Sequence, residues 1–181
     1  ITHGGLPYNL FKTGKQYGLI DKAISLDYQK LRYWKLLWNF IQLLKYGKPK
    51  GFQWSKVYAN KLIKQIKYLE DKELSILSIY PLLPSYPWPE KWNVDFYIDA
   101  TILQILDEYK VSNLISNSYK REIINREKLN YLKANKIICR SNWAIQSLVK
   151  DYQIKKSKIS LVPGGANLDI KEIDRSNIFY F

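Results

Sequence analysis

The chain has 181 residues and a mass of 21.5 kDa, which fits one domain. Hydrophobic residues make up 46% and charged residues 25% of it, and this composition excludes an intrinsically disordered chain. The net charge of +13 makes nucleic acid and anionic membranes candidate partners. The excess is almost all lysine, however, and arginine is the residue that pairs bidentately with phosphate and guanine. A composition biased towards Asn, Ile, Tyr and Lys explains the charge equally well.

The N-terminal part is predicted to be mainly helical. Residues 1–3 have the pattern of a strand end, Gly4 and Gly5 form a predicted turn, and residues 8–17 form an amphipathic helix. A second helix is predicted over 27–46, because apolar residues recur there at spacings of three and four. A third is predicted over 55–70, beginning at a capping serine.

The most basic amphipathic stretch runs from Tyr28 to Trp54. One interpretation is a surface that binds anionic lipid. The interpretation we favour is a helix that packs on the sheet and turns its lysines to solvent.

The second half alternates between short apolar strands and helices. Strands are predicted over 74–80, 94–98, 136–140 and 158–162, and helices over 101–109, 118–134 and 141–152. This alternation is typical of a parallel α/β sheet. The predicted fold is therefore a Rossmann-like parallel sheet with helices on both faces and a helical insert near the N-terminus. A proline-rich aromatic loop over 80–92 is either a sugar-stacking surface or a rigid connector.

Ligands of such sheets bind beyond the carboxyl ends of the strands. The residues that directly follow predicted strands are His3 to Gly5, Asp99 to Thr101, Ser141 with Asn142, and Gly164 to Asn167. The Asp99 carboxylate could accept hydrogen bonds from sugar hydroxyls, or it could cap the helix that follows. Gly4 and Gly5 could let the backbone approach a phosphate, or they could form a plain turn.

Two classes of site are disfavoured by residue counts. His3 is the only histidine and no G-x-S-x-G turn accompanies it, which argues against a serine hydrolase. One histidine and one cysteine are too few for a zinc site. The single Cys139 lies in an apolar run, and we expect a buried, unreactive thiol in a reducing compartment.

No apolar run reaches the roughly 18 residues that cross a bilayer, and no signal-peptide pattern is visible. We therefore expect a cytoplasmic protein, either free or peripheral at the inner membrane face. The chain begins at Ile1, lacks methionine and ends in an aromatic run, so we expect a fragment.

The second half contains two informative stretches, Ala134 to Ala144 (ANKIICRSNWA) and Lys158 to Asn167 (KISLVPGGAN). Together they resemble the N-terminal domain of retaining family-4 glycosyltransferases of the GT-B type. Tyr97 to Thr101 (YIDAT) is similar to the family's strand that ends in an Asp at the acceptor cleft. The resemblance covers about residues 74–169, and the first 70 residues match only in outline.

This resemblance implies that residues 1–169 form the acceptor-side domain and that 170–181 begin the linker to a donor-binding domain. The implied reaction moves a sugar from a nucleotide-sugar co-substrate to a hydroxyl of a lipid-linked or polysaccharide acceptor, with no metal and no other cofactor. Gly4 and Gly5 would approach the donor phosphates, and Asp99 would contact the acceptor or the transferred sugar. Thr101, Ser141 and Asn142 would bind substrate. The alternative is a non-catalytic basic module that binds nucleic acid or an acidic partner.

Overall fold

The computed structural model describes residues 6–26 and 29–163. Of these, residues 6–24 belong to one compact unit and residues 25–163 to another. The predicted roles of His3, Gly4 and Gly5, the turn at 164–167 and the boundary at 169 all lie outside the described residues.

The first unit contains the predicted N-terminal helix. Helix α1 spans Leu6–Gln16, close to the predicted 8–17. The segment that follows the helix is held against its last turn, because the backbone amides of Leu19 and Ile20 both donate to the carbonyl oxygen of Gly14. This contact closes the last turn of α1.

The second unit is an α/β domain, as predicted. Its helices are α2 (Arg32–Tyr46), α3 (Lys56–Ile63), α4 (Ile102–Glu108), α5 (Asn117–Lys133) and α6 (Asn142–Lys150). Its strands are β1 (Leu74–Ser78), β2 (Trp92–Ile98), β3 (Ile137–Cys139) and β4 (Ile159–Leu161). Short 3₁₀ turns at Gln29–Leu31, Phe52–Trp54 and Lys64–Leu69 flank α2 and extend α3.

The four strands form one parallel sheet in the order β1-β2-β3-β4. Alternate side chains of β2, including Val94 and Phe96, point into a core that α5 and α6 cover. Cys139 of β3 lies in the same core, and burial raises the pKa of its thiol to about 11. The predicted burial of this cysteine is confirmed. The side chains of β1 on the opposite face, Ser75 and Leu77, are exposed.

The favoured interpretation of α2 as a helix packed on the sheet is wrong. The helix rests instead on aromatic residues, since the Trp38 ring lies 6.4 Å from that of Phe52 and 5.5 Å from that of Tyr119. Leu37 and Leu44, which belong to the predicted apolar stripe, are exposed. The inward face of α2 therefore packs against helix α5 and against the 3₁₀ turn that contains Phe52.

Gly51 fixes the sharp turn between α2 and the following 3₁₀ turn. Its φ is +104°, and a Cβ there would lie 2.6 Å from Cε1 of Tyr119. The Tyr119 hydroxyl also donates to the Gly51 carbonyl oxygen at 2.8 Å. The Tyr119 ring therefore lies so close to the Gly51 backbone that the Cα of residue 51 has room for a hydrogen atom but not for a Cβ.

We expect Gly51→Ala to lower the free energy of unfolding by about 2–4 kcal/mol, because it adds a steric clash to the left-handed backbone penalty. Gly47→Ala is the matched control: Gly47 has φ +66° at the end of α2, and nothing lies within 4 Å of its added Cβ. That variant should lose only about 1 kcal/mol. Urea denaturation of both variants measures the difference, and equal losses would contradict the packing argument.

Candidate functional site

The carboxyl ends of β2 and β3 bring a carboxylate and a guanidinium together. Ile98 pairs with Cys139 in the parallel register, so the residues that follow them, Asp99 and Arg140, are neighbours. Arg140 Nη1 lies 3.0 Å from Asp99 Oδ1, and the Arg140 backbone amide donates to the Ile98 carbonyl oxygen. The Asp99 side chain is 49% exposed and that of Arg140 is 30% exposed. The pair therefore has a fixed geometry and remains open to a ligand.

Two further predicted residues join this edge through α6. The Ser141 hydroxyl caps the helix by accepting from the Ala144 amide at 3.2 Å, as the sequence predicts. The same hydroxyl lies 3.4 Å from the carbonyl oxygen of Asp99. Asn142, the first residue of α6, is exposed, and Trp143 beside it is also exposed. The structure thus brings Asp99, Ser141 and Asn142 to one edge.

Thr101 is not available to a substrate, and its predicted binding role is wrong. The residue is fully buried. Its hydroxyl begins α4 as part of a capping box with Gln104 and lies 2.9 Å from the hydroxyl of Ser147. Both contacts satisfy polar groups inside the domain, so Thr101 has a structural role.

Arg140 is the site residue that sequence reasoning missed. The sequence places it at the end of a strand, but its proximity to Asp99 depends on the pairing of two strands 41 residues apart. Its Nε is buried and has no hydrogen-bond partner among the described residues. Tyr97 lies close to the pair: burial raises the pKa of its hydroxyl, Arg140 lowers it and Asp99 raises it. Tyr97 therefore stays protonated at neutral pH.

A second polar cluster lies behind this edge and is sealed from solvent. The fully buried Glu127 carboxylate accepts hydrogen bonds from the Ile102 amide at 2.9 and 3.1 Å, at the start of α4. The Tyr131 hydroxyl donates to it at 2.7 Å, and the Tyr152 hydroxyl also donates to it. The cluster joins α4, α5 and the segment after α6, which makes it a structural support for the edge.

Burial raises the pKa of Glu127 to about 7, although its three donors favour the charged form. Sequence reasoning missed this residue because an isolated Glu in a helix is usually solvated. The available signal was its spacing: Tyr119, Ile123, Glu127 and Tyr131 follow at intervals of four on the buried face of α5.

The proline-aromatic loop between β1 and β2 is firmly held. The Asn130 side chain donates to the carbonyl oxygens of Pro81 and Pro84 and accepts from the Tyr86 amide at 2.8 Å. Arg126 donates to the Ser85 hydroxyl at 3.3 Å. These bonds fit a rigid connector, while the exposed ring of Tyr86 leaves the sugar-stacking alternative open.

Two surface cavities lie elsewhere, beside α3. The larger has a volume of about 440 Å³ and the smaller, next to the proline loop, about 170 Å³. Lys61, Lys64 and Lys67 line the larger one. Neither is lined by Asp99 or Arg140, so the polar edge and the cavities are separate features.

Within residues 6–26 and 29–163, no three His, Cys, Asp or Glu side chains are grouped as metal ligands. Comparison of the chain with models of known protein families, with curated proteins and with solved structures gave no match.

The raised pKa of Glu127 predicts a pH-dependent stability. Between pH 4.5 and about 7, the folded protein keeps a proton on Glu127, whereas the unfolded chain, in which the pKa is near 4.5, releases it. The stabilisation that comes from this proton is complete below pH 4.5 and is lost as the pH rises through about 7. We expect the free energy of unfolding to fall by about 3 kcal/mol between these limits on account of Glu127 alone. Urea denaturation across this range measures it.

Glu127→Gln provides the control, because the amide is neutral at every pH while all other titrating groups remain. The difference between the two stability curves isolates Glu127. Parallel curves for the wild type and the variant would show that the carboxyl keeps an ordinary pKa in the folded protein.

Proposed function

We propose that this chain is the acceptor-side domain of a retaining GT-B glycosyltransferase, which transfers a sugar from a nucleotide-sugar to a hydroxyl of a lipid-linked or polysaccharide acceptor. The observation that supports it best is the Asp99–Arg140 pair at the carboxyl edge of a parallel sheet. This edge is where open α/β sheets bind their ligands.

The chemistry of the pair suits a polyhydroxylated ligand. A carboxylate accepts hydrogen bonds from sugar hydroxyls, and a guanidinium donates to their oxygens in a fixed, planar geometry. The pair engages one carboxylate oxygen, Asp99 Oδ1, while about half of the side chain stays accessible. In this role Asp99 orients the acceptor hydroxyl, and Arg140 holds Asp99 in position.

The neighbouring residues extend this surface. Asn142 provides an exposed amide, and Trp143 provides an exposed aromatic ring on the first turn of α6. Aromatic faces pack against the C–H face of sugar rings. The proposal leaves Ser141 as a positioning residue, because its hydroxyl is engaged by the α6 amide.

The donor side of the proposed reaction belongs to residues outside this edge. Gly4 and Gly5 would approach the nucleotide-sugar phosphates, and a second domain would hold the rest of the donor, with no metal and no other cofactor. A cytoplasmic location is part of the proposal. The buried thiol of Cys139 supports it, because unpaired cysteines persist in reducing compartments.

The second candidate function is a non-catalytic basic module that binds nucleic acid or an acidic partner. The observation in its favour is the 440 Å³ cavity beside α3, which Lys61, Lys64 and Lys67 line together with a single acid, Glu70. These lysines recur every three residues along α3 and the 3₁₀ turn that extends it, and each could place a positive charge next to a phosphate.

We expect Asp99→Asn to weaken binding of a saccharide at least about ten-fold, because a charge-assisted acceptor becomes a neutral amide. Saturation-transfer NMR with a panel of neutral mono- and disaccharides measures it. Asp107→Asn is the matched control, since Asp107 forms a similar exposed ion pair with Lys120 away from the edge. Equal binding by both variants, or no saccharide binding by the wild type, would contradict the proposal.

The second candidate predicts that Lys64→Glu with Lys67→Glu weakens binding to single-stranded DNA by more than about ten-fold and flattens its salt dependence. Fluorescence anisotropy over a salt series measures this. The matched control is Lys110→Glu with Lys128→Glu, which changes the same net charge outside the cavity. If both pairs reduce binding equally, the cavity is not a specific site.

A further inference from the structure

Helix α2 turns an uninterrupted apolar face to solvent. At 100° per residue, seven apolar positions fall within an arc of about 160°. Their exposures run from 44% at Ile41 to 83% at Tyr33. The seven, hereafter the outer face of α2, are Tyr33, Leu36, Leu37, Phe40, Ile41, Leu43 and Leu44.

The inward side of the same helix is the more polar one. Leu31, just before α2, and Gln42 within it are buried, and Trp38 packs against the aromatic cluster. An amphipathic helix that packs in a water-soluble core shows the opposite arrangement, with its apolar residues inside. Contiguous apolar surface of this extent marks an interaction site on a folded protein.

The charge around the outer face identifies the kind of partner. From Tyr28 to Leu69 the sequence contains ten Lys or Arg residues and no Asp or Glu, against a net charge of +13 for the whole chain. On the helix, Arg32 and Lys45 flank the outer face on its two sides. Lys61 reaches the same helix from α3, with its Nζ 3.8 Å from the centroid of the Trp34 ring.

A second copy of this chain fits the outer face poorly. A two-fold interface through α2 would set the same acid-free segment of each copy against the other, so that cations face cations. A lipid surface with anionic headgroups fits both the apolar residues and the cations of this region. Its acyl chains cover the apolar residues, and its phosphates neutralise the flanking cations. Among the residues in the structure, no helix is long and apolar enough to cross the bilayer.

We propose that α2 docks this protein on an anionic lipid surface, lying in the plane of the interface. Phe40, Leu44 and their neighbours on the outer face enter the boundary between headgroups and acyl chains. Arg32 and Lys45 contact lipid phosphates, and Tyr33 takes the interfacial position that suits an amphipathic ring. This docking does not rest on the proposed glycosyl transfer.

The test is sedimentation of the full chain with two kinds of vesicle, one of phosphatidylcholine alone and one of phosphatidylcholine and phosphatidylglycerol in equal parts. We expect binding to the anionic vesicles that is stronger by more than about ten-fold and that weakens as salt is added. Equal binding to both vesicles, or binding to neither, would overturn the proposal.

Phe40→Ser with Leu44→Ser should weaken binding to the anionic vesicles at least about ten-fold, because both side chains leave the acyl boundary. Leu129→Ser with Leu132→Ser is the matched control: these are two similarly exposed apolar residues on α5, and we expect no change. Circular dichroism checks that both variants keep the fold. Full binding by the α2 variant would overturn the docking face.

Arg32→Gln with Lys45→Gln should reduce the preference for anionic vesicles while the outer face stays intact. Sedimentation equilibrium without lipid tests the competing occupant. A stable dimer of the wild type that Phe40→Ser with Leu44→Ser converts to a monomer would show that a second copy covers α2, and would overturn lipid docking.

Discussion

The arrangement of the polar edge depends on one buried carboxylate. Glu127 of α5 binds the first amide of α4 and two tyrosine hydroxyls, and so fixes the segment that directly follows Asp99. Removing this acceptor would leave three donors buried without a partner, which costs more than an exposed ion pair contributes. The exposed pair of Asp99 and Arg140 is therefore held by a core contact that no ligand reaches.

The local pattern of the sequence was enough for most of the fold. The strands and helices after residue 70 lie within two residues of their predicted bounds, because short apolar runs and capping residues such as Ser141 are local signals. Asp99, Ser141 and Asn142 were found because each follows a strand. Arg140 and Glu127 were missed, since their roles depend on partners 41 and 25 residues away. Helical periodicity showed that α2 has an apolar face but not which way that face turns.

Two surfaces of the same α/β unit thus have different characters. The edge at Asp99 is small, polar and fixed by strand pairing, which suits directional recognition of hydroxyl groups. The outer face of α2 is broad, apolar and bordered by cations, which suits a partner without defined shape. If both proposals hold, the protein and a lipid-linked acceptor would lie at the same membrane surface, so that the acceptor would not have to leave the membrane to reach Asp99.

The outer face of α2 also determines how the purified protein should behave in solution. Ions weaken attraction to anionic lipid, but they equally weaken repulsion between two acid-free segments. If α2 docks on lipid as proposed, salt would release the protein from membranes and, at the same time, let exposed apolar helices approach each other. Extraction in concentrated salt would favour aggregation, whereas a mild detergent at low salt would cover Phe40 and Leu44 and keep the molecules apart.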